Sequence, residues 1–188
     1  MKNSERVKRT REALLAAASK LFADKGFAAT STEEILAQAG VTRGALYHHF
    51  ADKSTLFEAV CESLMLEAAE EIERATANVD DTIAALEVGF AAWFGFVLDP
   101  GVRNILLLEA PTVLGFRRWR ALDDAHSFQS LRAGVDEALL NGTLVFGGAG
   151  DELAAMFNGA ANDLALRGLT PERASAVISQ LIAAFRPR

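Results

Sequence analysis

Four prolines and a single cysteine, Cys61, in 188 residues are the first informative scarcities. One cysteine closes no internal disulfide, which excludes a disulfide-stapled scaffold and makes the reducing cytoplasm the expected location. Residues 1–20 hold no apolar signal core, in keeping with that expectation. Long uncharged runs are scarce as well. The apolar stretch 84–98 is interrupted by Glu87, leaving eleven uncharged residues where a membrane span needs about 20. No transmembrane helix is expected, and repeats and low-complexity tracts are absent. Few prolines, few β-branched clusters and abundant Ala and Leu favour an all-α chain. At 51% hydrophobic content it can bury one sizeable core or two small ones.

Basic charge is scarce overall, with 19 Lys and Arg against 25 Asp and Glu, but it is unevenly spread. Residues 1–53 carry 9 basic and 6 acidic groups, net +3, and the remainder carries 10 and 19, net −9. All five lysines (Lys2, Lys8, Lys20, Lys25, Lys53) fall in the first part. Residues 1–11 alone hold five basic groups against Glu5. Either a solvated tail or a surface for a polyanion fits that asymmetry.

Apolar spacing at Leu14, Leu15, Ala18, Leu21 and Phe22 predicts a first helix from about Ser4 to Lys25, stopped by Gly26, after which Phe27 re-enters the core. Ser31 to Glu34 spells a capping box ahead of Ile35, Leu36 and Ala39, starting a short second helix. Gly40 can end that helix in the left-handed conformation. Val41 can plug the angle between the helices, and Thr42 can cap a third helix over Arg43 to Phe50. A fourth helix after Lys53 shows an apolar stripe of Leu56, Phe57, Val60, Cys61, Leu64 and Met65.

Further helices are expected over 82–98 and around 102–108, with Pro111 bending the chain after them. One long helix is expected within 117–140, and Phe146 to Gly150 reads as a loop. Asp151 should cap a helix over 152–167, and Thr170 with Pro171 should start the last one. The total is about nine.

Helix, tight turn, helix is a shape that enters the major groove. On the third helix Leu46 and Phe50 share one side, while Arg43, Gly44, Ala45, Tyr47 and His48 sweep the remainder. Low side chains at Gly44 and Ala45 let the helix approach base edges. Arg43 can donate bidentately to guanine, the Ala45 methyl can touch a thymine methyl, and Tyr47 with the imidazoles suits phosphates. A short solvated helix with no such role would carry the same pattern.

The run Thr30-Ser31-Thr32, Ile35, Ala39 to Phe50 (AGVTRGALYHHF), Asp52-Lys53 and Leu56-Phe57 resembles the DNA-binding domain of the TetR family of bacterial transcription regulators. The resemblance covers residues 10–60 closely. Beyond them it rests on helix pattern and on the stretch Leu108 to Trp119 (LEAPTVLGFRRW). It implies a three-helix DNA-binding head over 1–52 and a ligand-binding and dimerisation domain over 53–188. By the same resemblance Arg43, Gly44 and Ala45 would face bases. Tyr47, His48, His49, Thr32 and Lys53 would hold the phosphate backbone, and Thr42 joins them as the cap of the reading helix. Lys53 also stands at a helix amino end, where free backbone donors attract a phosphate. Arg9 and Arg11 would add salt-sensitive, non-specific affinity.

A single head reads few base pairs, so two are needed, about 34 Å apart on a palindromic operator. The last two helices offer stripes for a homodimer: Leu153, Phe157, Ala160, Ala161 and Leu164 with Val177, Ile178, Leu181, Ile182 and Phe185. Such stripes bury equally well inside one chain. The aromatic set Phe90, Trp93 and Phe94, with Phe116, Trp119, His126 and Phe128 further on, reads by itself as core. The resemblance implies an enclosed, mostly apolar effector cavity, with Glu109, His126, Asn158 and Asn162 as the polar groups to orient a small molecule. Asn158 and Asn162, one turn apart, could equally be two exposed amides.

Neither a cofactor nor a metal site is expected. Cys61 lies on an apolar stripe, His48 and His49 are splayed about 100° apart, and His126 stands alone. Gly147-Gly148-Ala149-Gly150 resembles half a phosphate loop but lacks its lysine. The reading is therefore a ligand-responsive regulator and not an enzyme. A helical carrier or adaptor that never touches DNA is the alternative, in which the basic first part is incidental.

Overall fold

The computed structural model describes residues 2–187, with side chains from residue 5 onward, so Lys2 of the basic segment lies outside the described side chains. Every regular element among them is helical. In chain order they are α1 (Lys2–Lys25), α2 (Thr32–Ala39), α3 (Arg43–His49), α4 (Lys53–Thr76), α5 (Thr82–Val97), α6 (Pro100–Arg103), a π-helical turn (Asn104–Glu109), α7 (Ala110–Val113), α8 (Phe116–Ala125), α9 (Ser127–Leu140), α10 (Gly150–Leu166) and α11 (Pro171–Ala183). The chain divides into two compact units. One comprises residues up to Leu64 together with Pro100–Trp119, and the other Met65–Asp99 together with the residues from Arg120 onward. The expected domain boundary after residue 52 coincides with the start of α4, while packing carries the first unit on to Leu64 and adds Pro100–Trp119.

Local chemistry sets the first unit's element ends. α1 stops at Gly26, whose φ of 81° costs an L side chain but not glycine. The Ser31 side chain accepts from the Glu34 N–H while the Glu34 carboxylate accepts from the Ser31 N–H, closing the capping box of α2. Gly40, at φ 65°, ends it. The Thr42 hydroxyl then accepts from the Ala45 N–H at 3.3 Å and starts α3 in a new direction. Leu14, Phe22, Ile35, Leu46, Leu56, Phe57 and Cys61 are buried together as core, and the rings of Phe22, Phe27 and Phe57 meet at centroid distances of 5.1–5.8 Å. Burial, with the nearby Glu58 charge, pushes the Cys61 thiol up to about 12, as befits a core residue.

Segment 100–113 is wound differently from expectation. The Ala110 N–H reaches back five residues to the Ile105 carbonyl, a π-type bond. The next bond of that ladder would join residue 111 to Leu106, but Pro111 has no N–H. Trp119 meets the Leu106 carbonyl instead, its indole Nε1–H donating at 2.8 Å. Pro111 thus sits in the first turn of α7 and does not bend the chain away.

In the second unit α5 is buried along Ile83, Leu86, Phe90, Phe94 and Val97, against α9, α10 and α11. Two sequence expectations are corrected in the later helices. Residues 117–140 form two helices, broken at His126 (φ −126°, ψ −100°), and not one. Together with the divided 100–113 segment, this explains why the helical pieces outnumber the expected nine. α10 begins at Gly150, capped by Ala149 whose N–H donates to the Glu152 carboxylate, so Asp151 sits in the first turn and is not the cap. One glycine of the run before it has a packing reason: a Cβ on Gly148 would collide with the Glu152 carboxylate and the Phe146 ring, whereas one on Gly147 would meet nothing within 4 Å. Thr170 and Pro171 start α11 as expected.

Candidate nucleic-acid interface and effector cavity

α3 is anchored by one face and open on the other. Leu46 is 2% exposed and Phe50 is also buried, whereas the Arg43 side chain is 69% and Tyr47 45% exposed. A Cβ on Gly44 would meet nothing within 4 Å, so the chain's own packing does not require a glycine there. The Arg43 guanidinium lies 5.7 Å from the Tyr47 ring centre and 3.7 Å from a Glu33 oxygen, a surface pair too loose to hold it. Ala45 and His49 are half-buried, and His48 and Thr42 are exposed. The His48 and His49 rings stand 5.4 Å apart, nearly edge to face. Burial, with the charges of His48 and Arg11, holds the His49 imidazole below its ordinary value. No group of His, Cys, Asp and Glu suited to a metal ion occurs among the described residues.

Thr32 opens α2, its hydroxyl donating to a Glu33 oxygen at 3.1 Å. The Arg11 guanidinium sits over the Phe50 ring at 5.7 Å. Lys53 is the residue whose surroundings spacing could not foretell. Its ammonium donates to the carbonyls of Phe27 and Thr30 at 2.8 Å each and lies 4.3 Å from the Phe27 ring centre. The backbone donor beside it is also engaged, since the Thr55 N–H donates to the Asp52 carboxylate at 2.7 Å.

A cavity of about 190 Å³ lies wholly within the second unit, lined from the end of α4, from α5 and from α9. Phe90 and Trp93 line it, as do Ile72, Leu86, Leu131 and the glycines Gly89 and Gly134. Phe94 is fully buried in the core. Two polar groups of the lining, Trp93 Nε1 and Ser127 Oγ, are buried without a hydrogen-bond partner among the described residues.

The other expected effector contacts are dispersed. Glu109 belongs to the first unit, where both its oxygens accept from the Phe27 N–H at 2.9 Å, and Trp119 is tied there to Leu106. His126 forms the break between α8 and α9. Asn158 is buried, and its amide donates to Asp123 at 2.7 Å. Asn162 keeps a buried Oδ1 without a partner among the described residues. Asp123 itself is 5% exposed, and burial raises its carboxyl above the usual range against the opposing pull of Asn158 and Arg120. Ser127, Leu131 and Gly134 escaped notice in the sequence. Their i, i+4, i+7 spacing puts them on one face of α9, but a serine, a leucine and a glycine form no apolar stripe that would mark that face.

Part of the apolar stripes on the last two helices is used internally. Leu153, Phe157, Ala161, Ile178 and Ile182 are fully buried within the single chain, while Ala160, Leu164, Val177 and Leu181 stay partly exposed and Met156 more so. Among the described residues no single helix is long and apolar enough to cross a membrane.

Comparison with known proteins agrees with this architecture. Residues 14–60 match the family model of the bacterial regulatory proteins of the tetR family, and residues 83–187 match that of the tetracyclin repressor-like C-terminal domain. The chain is 31% identical over 119 residues to the Transposon Tn10 TetC protein of Escherichia coli, covering 63% of this chain and 58% of that protein. It is 43% identical over 67 residues to the HTH-type transcriptional repressor BepR of Brucella suis, covering 32% of each. In both cases it spans less than two thirds of the curated relative's length. A TetR-family transcriptional regulator from Pectobacterium atrosepticum superposes with a TM-score of 0.73 at 28% identity, covering 96% of this chain and 93% of that one. Regulators of this kind are DNA-binding transcription factors and not enzymes. The chain belongs to the TetR family of bacterial transcriptional regulators, with an amino-terminal helix-turn-helix DNA-binding domain.

Proposed function

We propose that the protein is a homodimeric repressor of the cytoplasm that binds a palindromic operator and is released from it by a small, mostly apolar effector. The observation that carries the DNA reading is the open face of α3: Arg43 and Tyr47 project from it, and Gly44 leaves room where no neighbour asks for it. In this reading Arg43, Gly44 and Ala45 meet base edges in the major groove. Thr32, Thr42, Tyr47, His48 and His49 flank them toward the phosphates. An ammonium has three donors, so Lys53, with two on carbonyls, keeps one for a phosphate. Two heads are brought together through α10 and α11. The residues left for a partner are Met156, Ala160 and Leu164, spaced at i, i+4, i+8, together with Val177 and Leu181.

The effector acts by population shift. A molecule in the α5–α9 cavity that favours one arrangement of the body lowers operator affinity by its differential binding, typically about 1–3 kcal/mol of coupling. α4, which contributes to both compact units, is the connecting element.

Fluorescence anisotropy on duplexes recovered by genomic selection tests the DNA reading. Arg43→Ala should cost about 1–3 kcal/mol at one base pair and relax preference there. Equal loss on specific and random DNA would remove Arg43 from base readout, and the absence of any salt-dependent binding would favour a helical carrier that never touches DNA.

A further inference from the structure

We infer that the α5–α9 cavity takes a small aromatic ligand carrying a positively charged nitrogen and a hydrogen-bond-accepting oxygen. The inference rests on the effector-released reading above and narrows it to a chemical class. Size comes first: the cavity measures about 190 Å³, and a dry cavity of ~150 Å³ already binds benzene, so one substituted ring fits. The walls are apolar at Ile72, Leu86, Phe90 and Leu131, which suits the ring.

Charge selects the sign. The ionisable side chains of the lining are Glu73, Asp80 and Glu137, and the lining includes no Lys, Arg or His. An anionic group beside these three carboxylates would meet like charge and no cationic side chain of the lining. A cation keeps its charge satisfied at those exposed carboxylates while its apolar body lies deeper.

Polar chemistry selects the second group. Trp93 is 8% exposed, and its buried Nε1–H lacks a partner among the described residues. An indole N–H can only donate, so the matching ligand atom is an acceptor. A buried donor left unmade is a penalty that such an atom removes. Ser127 Oγ, also buried and unpartnered among the described residues, is a second unmet polar group of the same lining.

Three probes built on one 4-methoxybenzyl body and differing in charge separate the possibilities: 4-methoxybenzylamine, 4-methoxybenzyl alcohol and 4-methoxyphenylacetate. The chain has two tryptophans, Trp93 and Trp119, so its spectrum of indole N–H groups reports the site and carries an internal control, Trp119 being engaged by Leu106. With millimolar probe and no DNA present, the amine should shift the Trp93 signal, leave that of Trp119 in place, and bind at least about tenfold tighter than the acetate. Asp80→Asn combined with Glu137→Gln should remove most of the amine's advantage over the alcohol and leave the alcohol's own affinity unchanged. Binding of the acetate as tight as that of the amine, or a Trp93 signal unmoved by the amine, would overturn the inference and leave effector release by another class standing. Amine binding that leaves operator affinity unchanged would overturn the release reading and leave the ligand class intact.

Discussion

The main-chain N–H of Phe27 donates to both carboxylate oxygens of Glu109, at 2.9 Å each, across 82 positions of sequence. On the other side of the same residue the Phe27 carbonyl accepts from the Lys53 ammonium at 2.8 Å. One residue of the α1–α2 connection is thus held by a carboxylate from the end of the π turn and by a cation from the start of α4. The turn is tight as well: a Cβ on Gly26, already at φ 81°, would come within 2.5 Å of a Glu109 oxygen.

Removing Glu109 should therefore loosen the DNA-binding head without touching its surface. Glu109→Ala leaves a part-buried N–H unpaired and should destabilise by about 1–3 kcal/mol in chemical denaturation. Glu109→Gln, which keeps one acceptor oxygen, should lose less. Equal stability of wild type and the alanine variant would show that water replaces the carboxylate at no cost.

Gly44→Ala should separate folding from binding. The added methyl meets nothing, and alanine is favoured over glycine inside a helix by up to about 1 kcal/mol, so thermal unfolding should stay level or rise slightly. DNA affinity should fall if the proposed reading is right, because the methyl thickens the edge of α3 assigned there to the bases. An alanine variant that binds operator like the wild type would place the groove-facing side of α3 elsewhere.

Lys53→Met should be a stability variant as well as a binding variant. Two carbonyls lose a charged donor, and hydrogen bonds to charged groups contribute about 1.5–3 kcal/mol each at most, so a loss in urea unfolding is expected. Affinity should also drop on every duplex alike, with a shallower salt dependence. A stable variant with weakened DNA binding would mean that the ammonium leaves the carbonyls for phosphate and that they find water at no cost.

Asp123 should make stability fall as pH rises. Burial raises its carboxyl above the usual range in the folded chain, while in the unfolded chain it titrates normally. Between those two values the folded state holds the proton and the unfolded state has lost it, so the slope of unfolding free energy with pH is negative there. Its contribution is fully present at and below the ordinary carboxylate range and disappears as pH climbs through the raised value. Asp123→Asn, which keeps an acceptor for Asn158, should flatten this decline when urea unfolding is compared with wild type from about pH 4 to about pH 7. Parallel profiles for the two proteins would show that Asp123 titrates normally when folded.

Much of the first unit was legible because its signals are local. Ser31 and Glu34 satisfy each other's backbone groups three residues apart, Gly40 takes the positive φ a helix end needs, and Thr42 reaches only as far as Ala45. The stripe from Leu56 to Met65 is buried as its spacing requires. Where sequence and structure part, the deciding partner is distant or the local signal is faint. Glu109 looks free to face an effector, yet its partner is Phe27. The break at His126 and the cap at Ala149 leave no strong composition signal.

The amino-acid sequence alone determined the all-helical class, the helix-turn-helix and the exposed edge of α3, since capping, helical period and glycine geometry act within a turn or two of the chain. Only the tertiary structure decided which carbonyls Lys53 holds and which amide Glu109 holds. It likewise decided that Trp119 completes the ladder Pro111 interrupts, and that Trp93 and Ser127 line one cavity with their polar atoms unmet. Those outcomes depend on which helices lie side by side, and spacing along one helix constrains the face a residue shows but not the neighbour that face will meet.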